Sequence, residues 1–141
     1  MCLFCEVVDR KIPAEVVYED ETSLAFLDHR PLFLGHTLLI PKEHHETLAD
    51  LPSHLIESLF RTSQTIARAV QNAFDAQGTF VAMNNIVSQS VPHLHIHVVP
   101  RRRKDGLRGF FWPRTKYKGS EEMAETGARL RAVLERTGEP G

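Results

Sequence analysis

The sequence predicts an α+β protein, with an antiparallel sheet and its helices kept apart from it. Three observations carry that expectation. Pro92-His93-Leu94-His95-Ile96-His97-Val98-Val99-Pro100 alternates polar and apolar residues with a period of two, a strand pattern that puts three histidines on one face. Leu55, Leu59, Ile66, Ala69, Val70 and Ala73 recur at three, four and seven, which is the spacing of an amphipathic helix. Several short apolar runs are bounded by turn-forming residues, as strands are.

In chain order, Phe4 to Asp9 reads as a short helix with Phe4 and Val7 on one side, closed by Ile12-Pro13-Ala14. Val16 to Glu19 and Leu24 to Leu27 form a hairpin around the charged turn Asp20-Glu21-Thr22. Leu32-Phe33-Leu34 lies in a connection, where it lines either a pocket or a subunit contact. Gly35 turns the chain into a third strand, Thr37 to Ile40, which ends at Pro41. Leu48 and Leu51 suggest a helical turn, and Pro52 to Phe74 is the long helix, with Pro52 in the first turn where no donor is needed. Gly78 breaks the run. Phe80 to Met83 is a fourth strand, and residues 84–90 form a polar loop leading to the fifth, the histidine strand, which Pro100 stops. Glu121 to Glu135 is a final helix with Met123, Leu130, Val133 and Leu134 on its apolar side, followed by a fraying tail from Gly138 to Gly141.

With 141 residues and 42% hydrophobic composition, the chain reads as a single domain with a real core, 1–141. Residues 2–101 would form its body and 102–137 a C-terminal loop and helix. A net charge of -1 argues against a nucleic-acid or membrane-surface partner. No stretch approaches the roughly 20 apolar residues of a membrane span, and no targeting segment is visible, so a cytoplasmic location is expected. In a reducing compartment Cys2 and Cys5, the only cysteines, are poor candidates for a structural disulfide. A redox pair, zinc binding and simple burial as small side chains are the readings left open, zinc being the better one if two more ligands exist.

Three imidazoles on one strand face read as a catalytic or a metal-binding row, and the catalytic use considered is phosphorus chemistry. Imidazole is neutral and nucleophilic near pH 7, provided an acceptor on the second nitrogen fixes the tautomer. His95 can then attack phosphorus and form a covalent intermediate that water resolves. His97, His36, the Ser90 hydroxyl and nearby amides can neutralise the developing charge. Blander readings remain for some residues. Asp28 could merely end a strand, His36 could be a turn residue, and Ser90 could make a local turn bond.

The run His93-Leu94-His95-Ile96-His97-Val98-Val99 resembles the signature of the histidine triad superfamily. The segments Phe4-Cys5, Ile12-Pro13-Ala14, Tyr18-Glu19-Asp20, Ala25-Phe26-Leu27-Asp28, Gly35 to Lys42 and Gln89-Ser90 occur in the same order as in that family. The resemblance spans Cys2 to Arg101. It implies a five-stranded antiparallel sheet that continues across a homodimer, and a nucleotide substrate. It also implies that His95 is the nucleophile, with His97, His36 and Ser90 around the phosphate. Asp28 would hold the ribose hydroxyls, Leu3, Phe4, Val7, Phe26 and His29 would wall the base, and Gln89 and Asn84 (or Asn85) would shape the phosphate loop. Such an apolar wall predicts weak discrimination between bases. The family commonly has a glycine where this chain has Ser88, and serine restricts the backbone there.

Some family members pair two such cysteines with a histidine after Pro-Lys and the first triad histidine. The resemblance therefore implies a structural zinc on Cys2, Cys5, His44 and His93, and no metal in catalysis itself. The leading expectation is a hydrolase or transferase that cleaves the α-phosphate linkage of a nucleoside 5′-phosphate adduct: a phosphoramidate, a dinucleoside polyphosphate or an adenylylated compound. A nucleotide phosphorylase or nucleotidyltransferase, or a non-enzymatic nucleotide-binding module, are the alternatives. The basic run Arg101 to Lys104, with Arg108 and Arg114, leans toward an anionic leaving group, and the aromatic Gly106 to Arg114 loop toward a flap or a second stacked base.

Overall fold

A computed structural model describes residues 2–107 and 114–137. The chain divides into two compact units, Met1–Asp105 and Gly106–Gly141. The first holds the sheet. In order, its elements are α1 (Leu3–Val8), β1 (Val16–Glu19), β2 (Ser23–Leu27), β3 (Thr37–Pro41), a 3-10 turn at Leu48–Asp50, α2 (Ser53–Ala73), β4 (Gly78–Ala82) and β5 (Ile96–Arg101). Four antiparallel pairings give a five-stranded sheet in the order β1-β2-β3-β5-β4. The α+β architecture and the five antiparallel strands agree with the sequence expectation.

The sheet is a middle layer, and the strand period decides which residues go to which face. Ala25, Leu39, Leu94, Ile96 and Val98 pack toward Leu55, Leu59, Ile66 and Val70 of α2. Their sequence neighbours Leu24, Phe26, Leu38 and Ile40 form the opposite core with Phe4 and Val7 of α1. β3 is buried along its whole length. The histidines belong to the α1 face, because Leu94 and Ile96 alternate with them into the α2 face.

Several boundaries differ from the sequence expectation. β5 begins at Ile96, so His93 and His95 precede it. The β3 ladder ends at the Leu39–Ile96 pair, and Pro41 has no amide donor to extend it. Leu94 instead donates to the His45 carbonyl at 2.7 Å. Pro100 does not stop β5, which runs to Arg101. By then the strand pairs only with β4, and a proline is tolerated where one side carries no ladder. α2 ends at Ala73, ahead of Gly78, which opens β4 instead of breaking the helical run, and Met83 falls outside β4. On α2, Ala69 and Ala73 are exposed, while Thr62 and Ser63 take buried positions between the leucines.

The second unit contains α3 (Ser120–Thr137). Its expected apolar side, Met123, Leu130, Val133 and Leu134, is largely exposed. The tail from 138 and much of the aromatic loop, including Arg108, Phe110 and Trp112, lie outside the described residues.

One glycine places the site. Gly35 has φ +99°, and a Cβ there would enter the ring of Phe74, the residue that ends α2. Its carbonyl accepts from Thr37 Oγ1 at 2.9 Å, which fixes the entry into β3 and so the position of His36. Gly35→Ala is expected to destabilise the fold by about 2 kcal/mol, the order of cost of a side chain forced into the left-handed region. Urea unfolding measures this, and an unchanged midpoint would contradict it.

Candidate active site and metal centre

The three histidines of the row lie on one side of the sheet; His93 and His95 are each held by a backbone carbonyl, and His97 by the side chain of His36. His93 Nε2–H donates to the Pro41 carbonyl at 2.8 Å, so its Nδ1 carries the lone pair. His95 Nδ1–H donates to the His93 carbonyl at 2.8 Å, which leaves Nε2 unprotonated. The amide of Leu32 donates to His36 Nδ1 at 3.0 Å, so His36 carries its proton on Nε2. That proton is donated to His97 Nδ1 at 2.9 Å, and His97 in turn keeps its proton on Nε2. Backbone geometry therefore selects a tautomer for all four rings. The row alternates accordingly: His95 offers a lone pair, and His97 an N–H.

Burial favours the neutral forms. His97 is pushed down to about 4, first by burial and then by the neighbouring His95 and His36, with Asp28 opposing. Burial also lowers His36, against the pull of Asp28. At neutral pH both are uncharged hydrogen-bond donors rather than cations. Asp28 Oδ2 lies 3.7 Å from His36 Nε2, and its Oδ1 accepts from the Arg30 amide at 2.9 Å. Asp28 therefore also shapes the turn after β2, one of the readings its position left open.

A cavity of about 790 Å³ opens over this row. Of the sequence-predicted residues, Leu3, Phe4, Val7, Phe26, Asp28, His29, His36, Ser90, His95 and His97 line it. Phe4 meets His95 edge-on, with ring centroids 5.1 Å apart, and packs against Phe26 at 5.3 Å. His95 is only 3% exposed, so a reactant reaches it through the cavity.

Asn84 and Gln89 do not line the cavity. Gln89 is spent holding its own loop: Oε1 accepts from the Ile86 amide at 2.8 Å, and Nε2 donates to the Glu46 carbonyl at 2.7 Å. Asn85 Oδ1 accepts from the Leu48 amide at 2.7 Å and ties the same loop to the 3-10 turn. Ser88 has φ +63°, so the serine adopts the left-handed conformation a glycine favours, at a cost of roughly 1–2 kcal/mol.

The basic run does not serve the cavity. Arg101 forms a two-pronged pair with Asp105, at 2.5 and 3.0 Å. Arg102 donates to the Phe74 carbonyl, and the Arg103 amide to Gln77 Oε1. These residues follow the far end of β5 from His95 and fasten it to the end of α2. Arg114 is exposed.

The sequence reading missed Ile12, Pro13, Ala14 and Glu15, which also line the cavity. They occupy the connection between α1 and β1. No periodicity marks a connection, and Ile12-Pro13-Ala14 stood out only as a segment of the family resemblance, without a role.

A second cluster lies beside the row. Cys2 Sγ is 3.4 Å and Cys5 Sγ 3.6 Å from His93 Nδ1, Cys5 Sγ is 3.4 Å from His44 Nδ1, and the two Nδ1 atoms are 3.2 Å apart. The edges of a zinc tetrahedron with ordinary bond lengths are about 3.4 Å between nitrogens and about 3.6 Å between nitrogen and sulfur. Two thiols and two imidazole lone pairs converging at these distances fit a zinc ion. The Pro41 carbonyl behind His93 supplies the outer bond that orients a metal-binding imidazole. Burial and the adjacent Cys2 push the Cys5 thiol up to about 11, so holding it as a thiolate takes a compensating cation. His45, the rival of His44, turns its Nε2 toward Glu43 Oε1 at 3.1 Å instead.

Asp28, His36 and His97 also bring ligand atoms within 4.8 Å of one another. They do not fit an ion. The Leu32 amide occupies His36 Nδ1, so Nε2 carries a proton and has no lone pair to give.

The HIT domain family model matches residues 9–104. A crystal structure of a HIT family member from Bacillus subtilis superposes with a TM-score of 0.83 at 34% identity, covering 93% of this chain and 95% of that one. A zinc-bound histidine triad family protein from Mycobacterium smegmatis superposes with a TM-score of 0.72 at 39% identity, covering 96% and 94%. Adenosine 5′-monophosphoramidase of Saccharomyces cerevisiae is 34% identical over 107 residues, 75% of this chain and 66% of the yeast protein.

Purified chain is expected to carry one zinc per polypeptide by elemental analysis, and Cys5→Ser or His44→Ala to lower both the zinc content and the unfolding temperature. Metal-free protein with unchanged thermal stability would overturn the zinc assignment.

Proposed function

The chain belongs to the HIT family, and we propose that it cleaves the α-phosphate linkage of a nucleoside 5′-phosphate adduct through a nucleotidyl intermediate on His95. One observation carries the reading. The His93 carbonyl holds the proton on Nδ1 of His95, so a neutral Nε2 lone pair is available to a residue that lines the cavity. A poised neutral nitrogen nucleophile needs no separate general base.

The steps follow from the tautomers. Nε2 of His95 bonds to the α-phosphorus as the bond to the leaving group breaks. His97 donates from Nε2–H to a phosphate oxygen or to the departing atom, and His36 keeps His97 in that tautomer. The Ser90 hydroxyl supplies a further donor at the cavity edge. Water then attacks the phosphorus, its released proton replaces the one the leaving group took from His97, the phosphorus–nitrogen bond breaks, and the nucleoside monophosphate leaves with His95 neutral again. Asp28 accepts from the ribose hydroxyls, and Leu3, Phe4, Val7, Phe26 and His29 form the wall beside the base. The yeast relative's activity on a phosphoramidate supports this class of leaving group. The same residues would serve phosphorolysis, with inorganic phosphate in place of water.

Zinc on Cys2, Cys5, His44 and His93 would be structural and tie α1 to the catalytic segment. The working form would be a homodimer joined along β4, which pairs only with β5 among the described strands and leaves Val81 half exposed. Ile56 and Phe60 on the outer side of α2 would extend that contact. The reducing cytoplasm would keep both cysteines available to the metal. No described helix is long and apolar enough to cross a membrane.

Rapid quenching with adenosine 5′-phosphoramidate, followed by intact mass analysis, is expected to show one added AMP on the wild-type chain. None is expected on His95→Ala, whose turnover should fall by more than about a thousandfold, since a lost nucleophile removes the covalent route. Native spectra of the same sample should show twice the 16.0 kDa chain mass. Full turnover by His95→Ala would refute the mechanism.

A further inference from the structure

The polar groups around the cavity are not all accounted for by phosphate and ribose. His36, His95, His97 and Ser90 serve the phosphate, and Asp28 lies beside His36. Glu15 is the other carboxylate lining the cavity. Among the described residues its side chain has no hydrogen-bond or ion-pair partner. Its position is nonetheless fixed: the Glu15 carbonyl accepts from the Leu27 amide at 3.0 Å, directly before Asp28 in the neighbouring strand. It follows Ile12, Pro13 and Ala14, which border the cavity beside Val7 of the apolar wall.

We infer that Glu15 reads the nucleobase, and that the cavity prefers guanine, which offers two adjacent N–H donors to one carboxylate. The inference rests on the nucleotide reading of the cavity and adds specificity to it. An ionised carboxylate only accepts hydrogen bonds, through two oxygens in a fixed fork. Guanine presents N1–H and the 2-amino group side by side, matching both oxygens. Hypoxanthine keeps N1–H and lacks the amine. Adenine sets an acceptor beside its amine, and uracil flanks its single N–H with two carbonyls, so each turns a lone pair toward the carboxylate. The weak base discrimination expected from an apolar wall therefore gives way to a graded preference. Glu15 is exposed, so water can take the place of a missing donor. That limits the preference to about tenfold, well short of what an enclosed site built around such a bond achieves.

The test is equilibrium binding of GMP, IMP, AMP and UMP to the full chain by titration calorimetry, for wild type, Glu15→Gln and Glu15→Ala. Glu15 supports no described side-chain contact, so both variants should fold, which circular dichroism checks. Wild type is expected to bind GMP about tenfold more tightly than IMP, the order of discrimination given by one added contact at an open site. Both variants should shrink that ratio to within about threefold, as loss of the same contact requires. Equal binding of GMP and IMP by wild type overturns the inference, as does a guanine preference that survives both substitutions. Binding without discrimination leaves the nucleotide reading intact. Failure of folded wild type to bind any of the four overturns both.

Discussion

The site depends on one hydrogen bond, from Nδ1–H of His95 to the carbonyl of His93. It is short in sequence, two residues back along the chain, and it is buried. Because the acceptor is backbone, it cannot rotate away or change protonation state. The segment precedes β5 and is held by the Leu94 amide on the His45 carbonyl and by His93 Nε2–H on the carbonyl of Pro41, the last residue of β3. Those two bonds fix the backbone whose carbonyl orients His95.

The same histidine links the two halves of the site. His93 uses its carbonyl for His95, its Nε2–H for Pro41 and its Nδ1 for the cysteine cluster. Cys2 and Cys5 bracket the start of α1, and Phe4 between them packs against His95. A zinc ion on the cluster would fix the helix that supplies Leu3, Phe4 and Val7 to the cavity wall, and would fix the residue whose backbone aligns the nucleophile. Distance from the phosphate site does not make such a metal incidental. It would act through a chain of direct contacts no longer than two residues.

The strands and the long helix were legible because alternation and helical periodicity are local and strong, whereas the five-stranded antiparallel sheet was implied by the resemblance and the strand order was not read at all. The row of histidines was legible for the same reason, since Leu94, Ile96 and Val98 had to face α2. Strand ends were not. Pro41 and Pro100 looked alike as terminators, yet one ends a ladder and the other sits where β5 pairs only with β4. The cysteine–histidine cluster was read from resemblance, and its four ligand atoms do converge. Gln89 and Asn84 were read as shaping the phosphate loop; Gln89 does brace that loop, but neither lines the cavity, because a sequence gives proximity without side-chain direction. The roles of Arg101 and Arg102 depend on Asp105 and on a carbonyl at the end of α2, partners that charge patterning does not name. Glu15 escaped notice because a connecting segment carries no period.

The most direct test of the account is the tautomer of His95, read at neutral pH from long-range nitrogen–proton correlations in the uniformly labelled protein. The account predicts a neutral ring with its proton on Nδ1 and a bare Nε2. A ring protonated on Nε2, or an even mixture of the two tautomers, would contradict it, because the His93 carbonyl would then not be preparing the nucleophile.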